Sequence, residues 1–188
     1  PYGPEKVDTF EIGLKTDQLN RRLRFNLSAF YTDYRDMQLA QIYFLGSGED
    51  LVQGNTILNA ASSEIWGIEA EVTAVPVDGL RINAALAYLK AEYANFDYLL
   101  PGGDVLDLSG QRLQNAPKWT GSVGAEYRFG VGDSAEGRIG ASYNFSSEKL
   151  LTSIIDTARA SVQPTHLVNA HADVTFGDRY TIGVWATN

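Results

Sequence analysis

Segments of about ten residues in which apolar and polar side chains alternate recur along this chain, and the connections between them are alternately very short and very long. Short turns are expected near Asp17 to Asn20, Pro76 to Gly79, Gly130 to Glu136 and Gly177 to Arg179. Long irregular stretches are expected at Asp36 to Ser62, Ala94 to Lys118 and Ser146 to Thr165. A sandwich in water has no reason to place all its long connections at one end, since both ends meet the same solvent. A barrel in a membrane does, because one end faces outward and the other an inner compartment.

Successive side chains of a strand point to opposite faces, so parity sorts the residues. One face takes Phe10, Ile12 and Leu14, then Leu23 to Tyr31 in steps of two, Trp66 to Ala74, Leu80 to Tyr88, Trp119 to Phe129, Ile139 to Phe145, His166 to Phe176, and Tyr180 to Ala186. The other face takes Glu11, Lys15, Arg22, Arg24, Asn26, Glu69, Glu71, Arg81, Glu126, Arg128, Arg138, His171 and Asp173. Trp185 is the exception, an indole with polar-face parity. These are eight candidate strands in four hairpins.

A lipocalin-like barrel in water is apolar inside, and a membrane barrel is apolar outside. The aromatic positions separate the two. Tyr31, Trp66, Tyr88, Trp119, Tyr143 and Phe145 lie at the long-loop ends of the apolar face, and Tyr127, Phe129, Phe176 and Tyr180 at the short-turn ends. Between them run small aliphatic residues. Two girdles around an aliphatic band suit the two interfaces of a bilayer better than a dry core. No apolar run approaches the roughly eighteen residues that a membrane helix needs, so only strands could cross.

Other function classes find little support. A net charge of −8 argues against nucleic-acid binding, which needs clustered Lys and Arg. The chain has no cysteine, hence no disulfide and no thiolate chemistry. Glu69 and Glu71 form a same-face carboxylate pair of the kind used in glycoside hydrolysis, but the many charges of that face favour ion pairing instead. His166 and His171 have opposite parity and suit an interfacial residue and a polar-face residue, not a shared metal site. Ser146 and Lys149 match Ser-x-x-Lys without its partner motifs. Neither an enzyme nor a cofactor is expected. Pro1 to Lys6 has neither the basic nor the apolar region of a secretory leader.

Four stretches in order resemble a known family. Pro4 to Lys15 is similar to the segment entering the C-terminal part of TonB-dependent outer-membrane receptors. Asn59 to Glu71 is similar to a later strand, Ser109 to Lys118 to a loop exit, and Tyr180 to Asn188 to a strand close to the carboxyl end. Gly13 and Gly67 would relieve bulk on the polar face. Pro117 would bring a loop to a defined end just before a strand.

The resemblance implies an all-β, antiparallel up-and-down transmembrane β-barrel segment, with these strands forming a third or so of a barrel of about 22 strands. It further implies that a signal, a TonB-contacting box, a plug domain, earlier strands and a final strand lie outside the sequence; the terminal aromatic of a complete bacterial barrel is not at Asn188. The implied location is the bacterial outer membrane. Implied partners are outer-membrane lipid, the receptor's own plug, the TonB complex, and a small ligand such as a ferric siderophore or cobalamin. Long-loop residues Tyr43, Phe44, Phe96, Tyr98, Arg112 and Arg159 are candidate ligand contacts, each also open to a packing or solvent role. The rival from another class is a complete eight-stranded outer-membrane barrel with a structural or adhesive role, and a soluble lipid-binding barrel is a third reading. An isolated eight-strand piece would leave two open edges, so on its own it is expected neither to insert nor to transport.

Overall fold

The computed structural model describes residues 2–45, 52–100, 104–151, 161–177 and 179–188. Among the described residues eleven strands occur: β1 (Lys6–Gln18), β2 (Leu23–Leu45), β3 (Val52–Ala74), β4 (Leu80–Leu99), β5 (Val105–Asp107), β6 (Trp119–Val131), β7 (Ala135–Ser146), β8 (Lys149–Leu150), β9 (Ser161–Val162), β10 (Thr165–Phe176) and β11 (Tyr180–Thr187). Eight of them form one antiparallel sheet in the order β1-β2-β3-β4-β6-β7-β10-β11, with β5 pairing the far end of β4 and β8 pairing β9 apart from the rest. No helix occurs among the described residues. Along this sheet the strands follow one another in chain order, the up-and-down order expected from the alternation. β1 and β11 are not paired with each other, so the wall is open and the closed eight-stranded barrel is not formed.

The register sustains the parity assignment across the sheet. One apolar row runs Leu14, Leu27, Ala70, Leu86, Gly121 and Phe145, and a polar row runs Lys15, Asn26, Glu71, Ala85, Ser122 and Asn144. A one-residue slip anywhere would mix the two faces, so the two-sided pattern itself fixes the pairing. Apolar side chains stay exposed even in the middle of the sheet, Ile68 at 45% and Leu86 at 52%. On a molecule in water, so continuous an apolar surface would be an aggregation hazard.

The short turns fall near where the sequence places them, except that β1 runs on through Gln18 and the first turn lies two residues later than Asp17 to Asn20, before Leu23. Gly79, Gly132 and Gly177 supply positive φ in three of them. The long stretch from Asp36 to Ser62 is largely strand, a correction to the expected irregular loop. β2 runs on to Leu45 and β3 begins at Val52, paired through two register shifts. Arg35 and Asp36 together oppose Ser62, and Ala60 is the second extra residue. Asp36 sits at φ 58°, as bulge residues often do. Each bulge breaks the two-residue period, and a strict alternation reading stops there.

Candidate functional site

Beyond the girdle the sheet builds a small core of its own. Ser63 opposes Tyr93 and Ser62 opposes Asn95, leaving Ala94 as an extra residue on β4. That bulge reverses parity, so Phe96 and Tyr98 join Tyr93 on one side. The returning segment runs beside β4: Leu108 N–H donates to Phe96 O (2.7 Å), Gly110 N–H to Tyr93 O (2.8 Å) and Leu113 N–H to Ala91 O (2.9 Å). Tyr93, Phe96, Tyr98, Leu108 and Ala61 form the cluster, with Met37, Leu39 and Leu113 packed against it. Tyr93 and Phe96 rings lie 4.7 Å apart. This fastens the rim to the wall instead of leaving it as free loop.

The same region gives the Pro4 to Lys15 stretch a physical role. Glu5 Oε1 accepts the Gln38 N–H at 2.7 Å, and Lys6 Nζ reaches Asp36 Oδ2 at 3.1 Å. The Asn59 amide donates to the Asp36 carbonyl. Together these contacts clasp the β2 bulge from both sides. At the outer tip, the Ser109 hydroxyl and backbone N–H hold the Asp107 carboxyl below the usual carboxylate range, the N–H at 2.8 Å.

Below this rim, the polar face carries paired charges. Arg138 meets Asp173 at 3.1 Å and Glu126 at 3.9 Å, Arg128 meets Glu126 at 2.9 Å, and Arg24 meets Asp17 at 2.8 Å. The Asn26 amide donates to Glu71 at 3.2 Å. His171 lies across Gly140 with Nε2 3.7 Å from Glu126, while His166 accepts or donates one hydrogen bond with the Tyr143 hydroxyl at 2.6 Å on the apolar face. The histidines thus take the opposite faces expected of them. The Gly67 expectation is also met, since a β-carbon there would stand 2.7 Å from the Phe30 ring. Gly13 is a correction: a β-carbon would sit at an ordinary 3.5 Å, so no close approach explains it.

Five of the six candidate ligand contacts fall within the described residues. Phe96 and Tyr98 are buried in the rim core, at 3% and 8% exposure, so their rings serve packing. Arg112 pairs across the sheet with Glu92 and has its guanidinium 3.8 Å from Glu148. Tyr43 and Phe44 oppose Gly54 and Gln53 near the end of β2. Arg159 lies outside the described residues. Sequence reading missed Tyr93, Leu108 and Leu113 as the partners of Phe96; the signal available was a second apolar alternation restarting after Ala94.

An open antiparallel wall with one apolar face, one charged face and an aromatic belt defines the class: part of a membrane-type β-barrel. The comparisons agree and go further. The family model described as TonB dependent receptor-like, beta-barrel matches residues 1–188, and the chain belongs to that family, whose members are transport receptors and not enzymes. Among curated relatives, the Metal-pseudopaline receptor CntO of Pseudomonas aeruginosa is 26% identical over 148 residues, covering 79% of this chain and 18% of its own length. The Probable TonB-dependent siderophore receptor PiuA of Acinetobacter baumannii is 25% identical over 128 residues, covering 66% and 16%. Among solved structures, the ferric yersiniabactin uptake receptor FyuA of Yersinia pestis has a TM-score of 0.74 at 16% identity, covering 98% of this chain and 24% of its own. The siderophore receptor PiuA structure has a TM-score of 0.70 at 21% identity, covering 99% and 24%. The chain spans under a fifth of the curated relatives and about a quarter of these structures.

Proposed function

We propose that this chain is barrel wall of a bacterial outer-membrane receptor that imports a scarce nutrient as a small chelate, such as a ferric siderophore or cobalamin, with energy supplied through TonB. The observation that supports this best is the family match over the whole chain, joined to a wall whose two faces suit lipid on one side and a polar lumen on the other. In this reading the apolar face meets lipid. The Arg138, Asp173 and Glu126 face lodges the receptor's plug through ion pairs, and the long connections meet the ligand outside. Arg112, Tyr43, Phe44 and Arg159 are the proposed ligand contacts of the rim, and Phe96 and Tyr98 act by shaping it. The remaining strands and the plug complete the receptor.

The test is uptake by the complete receptor in cells with and without a working TonB complex, offering labelled ferric siderophores and cobalamin separately. TonB-dependent accumulation of one class is expected. Leakage of all small solutes alike, unaffected by loss of TonB, would instead favour a passive barrel.

A further inference from the structure

Trp185 puts an indole on the polar face, and the register fixes what stands around it. Arg81, Glu126, Gly140, His171 and Trp185 fall in one row across β4, β6, β7, β10 and β11. The next row toward the short turns holds Arg128, Arg138, Asp173 and Gly183. Gly183, the same-face neighbour of Trp185 on β11, has no room for a side chain, since a β-carbon there would stand 2.9 Å from the Asp173 Cβ. His171 lies across Gly140 with Nε2 toward Glu126, away from β11. The indole is thus the one large apolar group in a low, polar field.

Most charges of these two rows are matched within the wall. Arg138 pairs with Asp173 and Glu126, and Arg128 pairs with Glu126. Two side chains make no hydrogen bond or ion pair among the described residues: the Arg81 guanidinium has no counterion, and the Trp185 N–H has no acceptor. They stand four strand spacings apart, a span of about 19 Å. About six residues of extended chain cover that distance. Positions an even number apart on such a chain point to the same side, so one segment can reach both groups.

We propose that this face seats an extended segment of the receptor's plug, laid across β4 to β11, with a carboxylate on Arg81 and an apolar side chain over the Trp185 ring. The sign of the partner follows from the wall. A Lys or Arg opposite Arg81 would meet a like charge, with the nearby carboxylates already paired, whereas an acidic residue supplies the counterion that Arg81 lacks. Covering an indole removes a large apolar area from water in a single group, so Trp185 carries much of the contact. The inference rests on the reading of the polar face as a lumen that a plug fills.

Photo-cross-linking from p-benzoylphenylalanine in place of Trp185, in the complete receptor, tests it. A link to one plug peptide is expected, with an Asp or Glu about six residues from the linked position. In that peptide, Trp185→Ala and Arg81→Gln should each quicken amide exchange by about threefold to tenfold. Trp185→Phe should restore much of the protection, and β6 and β7 should exchange as before. Links only to adjacent wall strands, no link, or plug exchange untouched by one of the two variants overturns the proposal. Uptake by the same receptor separates the two readings. A missing link beside intact TonB-dependent uptake removes only the plug seat, and uptake indifferent to TonB removes the receptor reading as well.

Discussion

The ring of Phe30 covers Gly67, the residue directly opposite it on the neighbouring strand, and a β-carbon at Gly67 would also stand 2.7 Å from the Tyr88 carbonyl oxygen. One neighbour is backbone and cannot swing away. Gly67→Ala should therefore destabilise the folded receptor by about 1–3 kcal/mol, the usual scale of overpacking. A lowered denaturation midpoint in detergent would show it, and an unchanged midpoint would mean that the strands are less tightly placed than described.

The first turn carries an opposite kind of strain. Leu19, Asn20 and Arg21 hold φ of 52°, 54° and 67° in succession. Side chains other than Gly pay about 1–2 kcal/mol in that region. Arg21→Gly should thus raise stability by up to about 1 kcal/mol, offset in part by greater freedom of the unfolded chain. A lower midpoint would contradict the turn geometry.

The rim core makes a local forecast. Truncating Phe96 to Ala removes a ring packed on Tyr93 and Leu108, at a cost of about 3–5 kcal/mol. Amide exchange should quicken around Tyr93 to Leu113, while the strands β6, β7 and β10 keep their protection. Uniform loss of protection would show that the rim and wall unfold as one unit.

Asp107 sets a pH dependence for the tip. Its carboxyl is held below its ordinary value by the Ser109 hydroxyl and N–H. A depressed carboxyl contributes stability that is present above the unfolded value, about 3.9, and lost as pH falls through the lower folded value. Exchange of the Ser109 amide should thus rise only on acidification below the usual carboxylate range. In Asp107→Asn that acid step should vanish, and its persistence would point to another group.

Hairpins and faces were legible because alternation survives wherever one side of a strand is apolar, as along Trp66 to Ala74. The extension of β2 past Asp36 was not, because bulges at Asp36, Ala60 and Ala94 each shift the period by one residue. Register then has to come from pairing, which no single segment reveals. Phe96 and Tyr98 read as rim aromatics for the same reason, with their partners Leu108 and Leu113 reached only when the chain returns.

Accessibility of single spin labels along β10 in the complete receptor, embedded in a bilayer, tests the two-faced wall most directly. Labels at Val168, Ala170, Ala172 and Val174 should collide with oxygen, and labels at Asn169, His171 and Asp173 should be shielded from it, giving a two-residue period. No period, or one with the phases exchanged, would contradict the assignment of the apolar face to lipid.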